Sequence, residues 1–434
     1  MSVKINIDSI DDLLREKIHK DLSLKIEINS YGAQKKYKTI YPYHTVSIEN
    51  NGVNSEYAYL PFAYSVSIGL KRPIRNVFPK ANINFISELR EEQKELRSEA
   101  ESHLNNCGST IISAYTGFGK SITAINMASR IKLKTLIVLN RLILMKQWED
   151  SINTFCSNTI KVQCIKPKAI KKDCEFYIMN ATNIPKMGAD FFNDIGFIII
   201  DEIHLIVAEK LSECLQYLTP RYMIGLSATP NRQDGLNCLF NLYCGNSRVF
   251  RKLNREHIAY KVKTNFEPIV ELASNGKINW NTVLESQSND VNRNELIIKI
   301  VKFFQDRVFL IICKRISQAN YILDRLLEEK EDVTGLFGSR MTYTQSSRIL
   351  VGTTGKCSTG FDHPRLNTLL LASDVEAYYQ QVLGRCMRTK EGIPIIFDLV
   401  DNNNILDKHW RTRRAIYLEH GGIIKDFKKE FPNF

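Results

Sequence analysis

The chain has 434 residues, 44% hydrophobic and 24% charged, the balance of a globular protein too long for one ordinary domain, and its formal net charge of +12 favours a polyanionic partner. Residues 1–20 carry charges throughout and no apolar run approaches the ~20 residues that span a bilayer, so neither a secretory signal nor a membrane partner is expected, and the predicted location is cytoplasmic. The ten cysteines are scattered and form no Cys-x-x-Cys pair, so neither a zinc site nor a disulfide framework is indicated, and reduced thiols are expected.

In chain order, residues 1–83 predict a small β-containing accessory region. Alternating runs at Leu24–Ile28 and Thr45–Ile48 are each followed by turn signals, at Asn29-Ser30-Tyr31-Gly32 and Asn50-Asn51-Gly52. From about residue 84 apolar strands alternate with amphipathic helices. The spacing predicts a helix from Glu88 to Leu104, a strand at Thr110–Ala114, a helix at Ser121–Ile131, a strand at Thr135–Leu139 and a helix around Leu142–Ile152. Further strands are expected at Phe176–Met179, Phe197–Ile200 and Met223–Leu226. Residues 84–250 are therefore assigned to a first α/β domain. Residues 251–290 are read as an irregular linker, with Asn- and Ser-rich stretches at 274–294. A second α/β domain, 291–434, is expected from strands at Val308–Cys313, Ile349–Gly352, Thr368–Ala372 and Ile395–Leu399, with helices at Ser317–Leu327 and Ala377–Leu383. Strand, loop and helix in repetition signal parallel sheets covered on both faces.

Three fragments carry chemistry. Residues 114–121, Ala-Tyr-Thr-Gly-Phe-Gly-Lys-Ser, run from a strand into a helix. Such a loop offers converging N–H donors at Thr116, Gly117, Phe118 and Gly119, a cation at Lys120 and a hydroxyl for Mg²⁺ at Ser121. Ala114 stands where the usual phosphate-loop pattern has its first glycine. Asp201 and Glu202 follow the apolar strand Phe197–Ile200, at the strand end that faces ligands in an open α/β sheet. Asp201 is expected to bind the metal and Glu202 to accept a proton from, or orient, a water. His204 is a candidate link to neighbouring segments, although a histidine beside a strand is as often structural. Arg385 and Arg388, three apart after Gly384, form either a solvated basic helix face or a pair of arginine fingers.

The order Thr-Gly-Phe-Gly-Lys-Ser, Asp-Glu-Ile-His, Ser227-Ala-Thr229 and Gln381-x-x-Gly-Arg-x-x-Arg388 resembles the superfamily 2 helicases over about residues 86–420. The resemblance implies two tandem RecA-like domains, with ATP and Mg²⁺ as cofactors and nucleic acid, DNA or RNA, as partner. It assigns Arg90 and Gln93, within Leu89-Arg-Glu-Glu-Gln93, to adenine recognition. It assigns Asn140, Arg141 and Gln147, within Asn140-Arg-Leu-Ile-Leu-Met-Lys-Gln-Trp148, to the nucleic-acid backbone, with Asn140 where a proline is common. It places Thr353 and Thr354 on backbone phosphates, and Gly360 and Asp362 on the nucleotide. His204, Ser227 and Thr229 couple the two sites, and Gln381 joins Arg385 and Arg388 in catalysis. Ser227-Ala-Thr-Pro-Asn-Arg-Gln-Asp-Gly235 and His409-Trp-Arg-Thr-Arg-Arg-Ala-Ile-Tyr417 resemble the XPB-like and UvsW-like branch. Within it, the compact size is most similar to transcription helicases of poxviruses and other large DNA viruses. That implies a role in viral transcription, alongside transcription machinery, and a virion or viral-factory location. Two alternatives stand beside unwinding: translocation on duplex without strand separation, and a non-catalytic virion component on a helicase fold.

Overall fold

Apolar runs without alternation need burial on both faces, and the chain meets that need with two parallel sheets under helices. A computed structural model describes residues 1–434 apart from 29–35, 51–52, 208–210, 229–236, 275, 341, 358–362, 364, 376–378 and 388–391. The chain divides into two units, Met1–Ala114 with Phe118–Arg251, and Tyr115–Gly117 with Lys252–Phe434.

In the first unit the accessory region contributes β1 (Ser2–Asn6), α1 (Asp12–Asp21), β2 (Leu24–Ile28), β3 (Lys36–Ile40), β4 (His44–Asn50), β5 (Val53–Pro61) and α2 (Phe62–Ser67). Strands β1, β5 and β4 form an antiparallel sheet in that order, and β2 pairs with β3. This region is built onto the α/β core. Met1, Val3 and Phe62 lie in the same apolar cluster as Leu136, Ile198 and Tyr243. Ser2 N donates to Leu218 O (2.6 Å), and Tyr243 Oη donates to Pro42 O (3.1 Å).

The rest of the unit is α3 (Glu91–Cys107), β6 (Ser109–Ala114), α4 (Lys120–Ile131), β7 (Thr135–Leu139), α5 (Ile143–Phe155), β8 (Val162–Ile165), β9 (Phe176–Asn180), β10 (Phe197–Ile200), α6 (Ile203–Ile206), β11 (Tyr222–Ser227), α7 (Asn237–Cys244) and β12 (Arg248–Arg251). The sheet order is β12-β6-β11-β10-β7-β9-β8, every pairing parallel. The neighbours β6, β11 and β10 thus bring three loops to one carboxyl edge. Ala114 is the last residue of β6, buried and paired with Arg251. Its extended backbone tolerates a methyl group, which accounts for alanine at the usual glycine position.

The second unit comprises β13 (His257–Lys263), α8 (Trp280–Asn289), α9 (Val291–Phe303), β14 (Phe309–Cys313), α10 (Ile316–Glu328), β15 (Val333–Leu336), β16 (Ile349–Thr353), α11 (Thr354–Cys357), β17 (Thr368–Leu371), α12 (Tyr379–Cys386), β18 (Ile395–Val400), α13 (Asn404–Glu419), β19 (Gly422–Asp426) and α14 (Phe427–Glu430). Its sheet, β15-β16-β14-β17-β18-β13-β19, is again wholly parallel. The two sheets give the tandem RecA-like architecture. The stretch 251–290, read from sequence as linker, instead holds β13 and α8. Strand β13 lies between β18 and β19, and Asn279 caps α8 through its own side chain. Its polar, interrupted pattern conceals a strand whose neighbours are far away in sequence.

A buried charged cluster ties the second unit together. Arg413 on α13 forks onto Asp398 in β18 through Nε and Nη2 (both 2.8 Å), and its Nη1 donates to Asp374 after β17 (2.7 Å). Tyr417 Oη also donates to Asp398 (2.8 Å), and His409 Nδ1 lies 2.6 Å from Asp374. Trp280 of α8 stacks on His409 with centroids 5.1 Å apart. Burial opposes ionisation of Asp374, but His409 and Arg413 outweigh it and hold the carboxyl below its usual value. Its contribution to stability is therefore complete above about pH 4 and is lost as pH falls through the depressed value. Asp374→Asn should flatten that part of the acid-unfolding profile followed by fluorescence.

Candidate nucleotide site

The loop after β6 enters α4 with Gly117 and Gly119 at φ +95° and +96°. Glycine is required at 119 twice over: the backbone is left-handed, and a Cβ there would overlap Gln93 Nε2. Gln93, almost fully buried at the start of α3, donates from Nε2 to Phe118 O (2.8 Å) and accepts from Arg90 N at Oε1 (2.9 Å). Arg90 Nη2 also donates to Phe118 O. Both residues expected to recognise adenine thus brace the phosphate loop through one carbonyl. Lys120 Nζ donates to Ala114 O (2.8 Å), folding the ammonium back across the loop, and Ser121 lies in the first turn of α4. Gly119→Ala should cost about 1–2 kcal/mol in left-handed backbone strain and weaken nucleotide binding by dislodging Gln93. Thermal unfolding and a nucleotide titration check both.

The acidic pair follows β10. Asp201 N donates to Val138 O (3.0 Å), fixing the strand end. Asp201 Oδ2 accepts from Trp148 Nε1 (2.9 Å), and Oδ1 accepts from Glu202 N (3.0 Å). Burial, then the charge of Glu202, pushes the Asp201 carboxyl up to about 6, against the pull of Trp148 and Lys120. Glu202 has φ +46°, one of four positive-φ non-glycine residues among those described. Such backbone costs of order 1 kcal/mol. His204 Nδ1 lies 3.0 Å from Ser227 Oγ and 3.4 Å from Glu202 Oε2, joining the ends of β10 and β11. Gly225 of β11 leaves room for Ile203, since a Cβ would collide with that side chain.

The chemistry of this donor set fits Mg²⁺. Two adjacent carboxylates, one with its proton affinity raised, form a negative site that a cation neutralises. No group of three His, Cys, Asp or Glu residues able to hold a metal occurs among the described residues. Mg²⁺ keeps waters and substrate oxygens as ligands, so one carboxylate with Ser121 suffices.

The structure places the remaining expectations as follows. In the first unit Asn140 is partly buried and its carbonyl accepts from Asn180 Nδ2 (3.1 Å), Arg141 is partly buried, and Gln147 is exposed on α5. In the second unit Thr353 ends β16, while Thr354 is buried with no partner for Oγ1, so it is not offered at the surface. Gln381 and Arg385 lie on α12, and Arg385 is partly buried near Cys357, whose thiol burial pushes up to about 12 against the pull of that charge. Thr116 lies in the loop, and Thr229, Gly360, Asp362 and Arg388 fall outside the described residues. Sequence reasoning gave no role to Trp148, Asn180 or Arg413. No local sequence signal pairs Trp148 with Asp201; only its burial shows that the indole N–H requires an acceptor. No helix among the described residues is long and apolar enough to cross a membrane.

Residues 86–232 match the family model described as "Type III restriction enzyme, res subunit". The chain is 42% identical to "Putative helicase 161L" of Invertebrate iridescent virus 6, over 99% of this chain and 100% of that one. It is 30% identical to "Putative helicase 055L" of Frog virus 3, over 86% of each. It is 24% identical to "Transcript termination protein A18" of Yaba-like disease virus, over 78% and 79%. Among solved structures, S. cerevisiae Dbp5 bound to RNA and ADP BeF3 superposes with TM-score 0.52 at 14% identity, over 77% of this chain and 91% of that one. A fragment of an HsdR subunit of a type I restriction enzyme from Vibrio vulnificus YJ016 gives 0.56 at 16%, over 79% and 70%. Both share the fold.

Proposed function

Because the chain belongs to the superfamily 2 helicases related to those of large DNA viruses, and is by class an ATP-dependent helicase, we propose that it translocates on nucleic acid during viral transcription, releasing transcripts or remodelling duplexes. The observation that carries the proposal is the carboxyl edge of the first sheet. There Lys120, Asp201, Glu202 and His204 are held by Ala114, Trp148 and Ser227. The termination protein of Yaba-like disease virus supports the transcription role.

In this mechanism the loop N–H groups and Lys120 bind the phosphates, while Gln93 and Arg90 hold the loop against α3. Mg²⁺, held by Ser121 and Asp201, would neutralise charge on the phosphates. Glu202 orients the attacking water and accepts its proton. His204 passes the state of Glu202 to Ser227 at the end of β11. The resemblance also assigns Gln381, Arg385 and Arg388 to catalysis, the arginines as positive charge for the transition state. Nucleic-acid affinity then rests on backbone phosphates and falls steeply with salt.

The test is the ATPase rate with single-stranded DNA, duplex DNA, RNA and RNA/DNA hybrid side by side, paired with strand displacement on each duplex. Stimulation with displacement is expected. Stimulation without displacement replaces unwinding by duplex translocation, and no turnover on any track overturns the motor.

A further inference from the structure

Helix α5 has a buried stripe of Leu144, Trp148 and Ile152, four residues apart, while Lys146, Gln147 and Asp150 elsewhere on the helix are exposed. An apolar ring alone would fill the place of Trp148, yet the indole adds one donor to an otherwise apolar face. That donor goes to Oδ2 of Asp201 (2.9 Å), the carboxylate expected to hold Mg²⁺, and not to a main-chain carbonyl.

Asp201 is tied to two elements at once. Its main-chain N donates to Val138 O in β7 (3.0 Å), so the sheet fixes the backbone. Its side chain is held by Trp148 of α5 at Oδ2 and by Glu202 N at Oδ1 (3.0 Å). A carboxylate has about four lone-pair sites, so about two remain for a cation. A shift of α5 against the sheet therefore changes the hold on Oδ2 while the backbone stays in place. The segment that feeds α5 is short and anchored. Residues 140–142 join β7 to α5, Asn140 O accepts from Asn180 Nδ2 (3.1 Å), and Arg141 O accepts from Leu144 N (3.2 Å). Consecutive helical side chains point about 100° apart, so one stretch of α5 offers Gln147 outward and Trp148 inward.

We propose that Trp148 is a positioning residue that couples nucleic acid on segment 140–147 to Mg²⁺ binding at Asp201, moving with α5 and carrying the hydrogen bond to Oδ2 with it. The inference rests on the readings of Asp201 as a metal ligand and of that segment as a nucleic-acid contact. A donor behind a ligating carboxylate fixes its orientation, and losing such a partner costs about 10- to 100-fold in metal affinity. Coupling between two binding sites is reciprocal, so nucleic acid and the Mg²⁺-bound nucleotide change each other's affinity by one common factor.

The experiment titrates the full chain with the β,γ-imido analogue of ATP by calorimetry, in Mg²⁺ and in EDTA, with and without saturating oligothymidylate or oligouridylate. Wild type is compared with Trp148→Phe, which keeps a ring in the stripe but loses the donor. Ile152→Val serves as the packing control, since it trims the same stripe and removes no hydrogen bond. In wild type, nucleic acid should change the affinity for the Mg²⁺-bound analogue by about fivefold or more. Trp148→Phe should lose about 10- to 100-fold in affinity in Mg²⁺ and bring the nucleic-acid effect to within about twofold. Its affinities for the analogue in EDTA and for nucleic acid alone should stay at wild-type values, and Ile152→Val should match wild type throughout. Trp148→Phe behaving as wild type overturns the proposal. So does an equal loss in Ile152→Val, a nucleic-acid effect that survives in Trp148→Phe, or a wild-type chain that binds both ligands without mutual effect. A wild-type chain that fails to bind the Mg²⁺-bound analogue, or either oligonucleotide, overturns the underlying readings and this inference with them.

Discussion

Glu202→Gln should lower nucleic-acid-stimulated ATP hydrolysis by about 10²–10⁴-fold, the range for removing a positioned general base, while ATP affinity changes little. The amide keeps the size of the carboxylate and the backbone bonds that hold it, Glu202 N to Asp201 Oδ1 and Leu205 N to Glu202 O (2.8 Å). It cannot accept the proton. Lys120→Ala should act differently, weakening nucleotide binding itself by removing the charge at the loop. A rate that survives either change, measured by phosphate release at saturating nucleic acid, would falsify the site assignment. The left-handed backbone at 202 adds a separable effect. Glu202→Gly relieves that strain, so it should abolish turnover while raising stability by up to about 1 kcal/mol.

The second large effect concerns stability. Arg413→Ala should destabilise the second unit by about 3–5 kcal/mol, the cost of leaving buried carboxylates without their partner. Asp398 is fully buried and Asp374 nearly so, and both lose the same guanidinium. Arg413→Lys should recover only part of the loss, because an ammonium cannot reproduce the two-pronged contact with Asp398. The fluorescence of Trp280 and Trp410 reports this unit, and that of Trp148 the other. An urea transition in which the second-unit signal stays in place would refute the role given to Arg413.

Sequence patterns exposed the parts of the site that are local. Strands β6 and β10 are unbroken apolar runs, and the residues after them were identifiable because strand, loop and helix follow one another directly. The groups that orient those residues were not legible. Trp148 meets Asp201 across 53 positions, Arg413 meets Asp374 across 39, and Arg293 meets Asp401 across 108. No periodicity encodes such pairings; they exist only once the sheet order is known. Strand β13 escaped for the same reason, since His257, Lys261 and Lys263 break its apolar pattern although most of it is buried. Gln93 shows the converse case. Its position was readable, but its bracing contact with Phe118 depends on a glycine conformation visible only in three dimensions.

The place of β13 also governs how the protein can be made. The strand emerges well before the partners on both its edges, β18 and β19. Thr264, at its end, waits 137 residues for Asp401. At about 5–20 residues per second that is roughly 7–27 s of ribosome time with two open strand edges. The first unit, whose strands are all complete by Arg251, can fold in that interval. The second must remain unfinished, so exposure to chaperones and to aggregation during synthesis falls almost entirely on it.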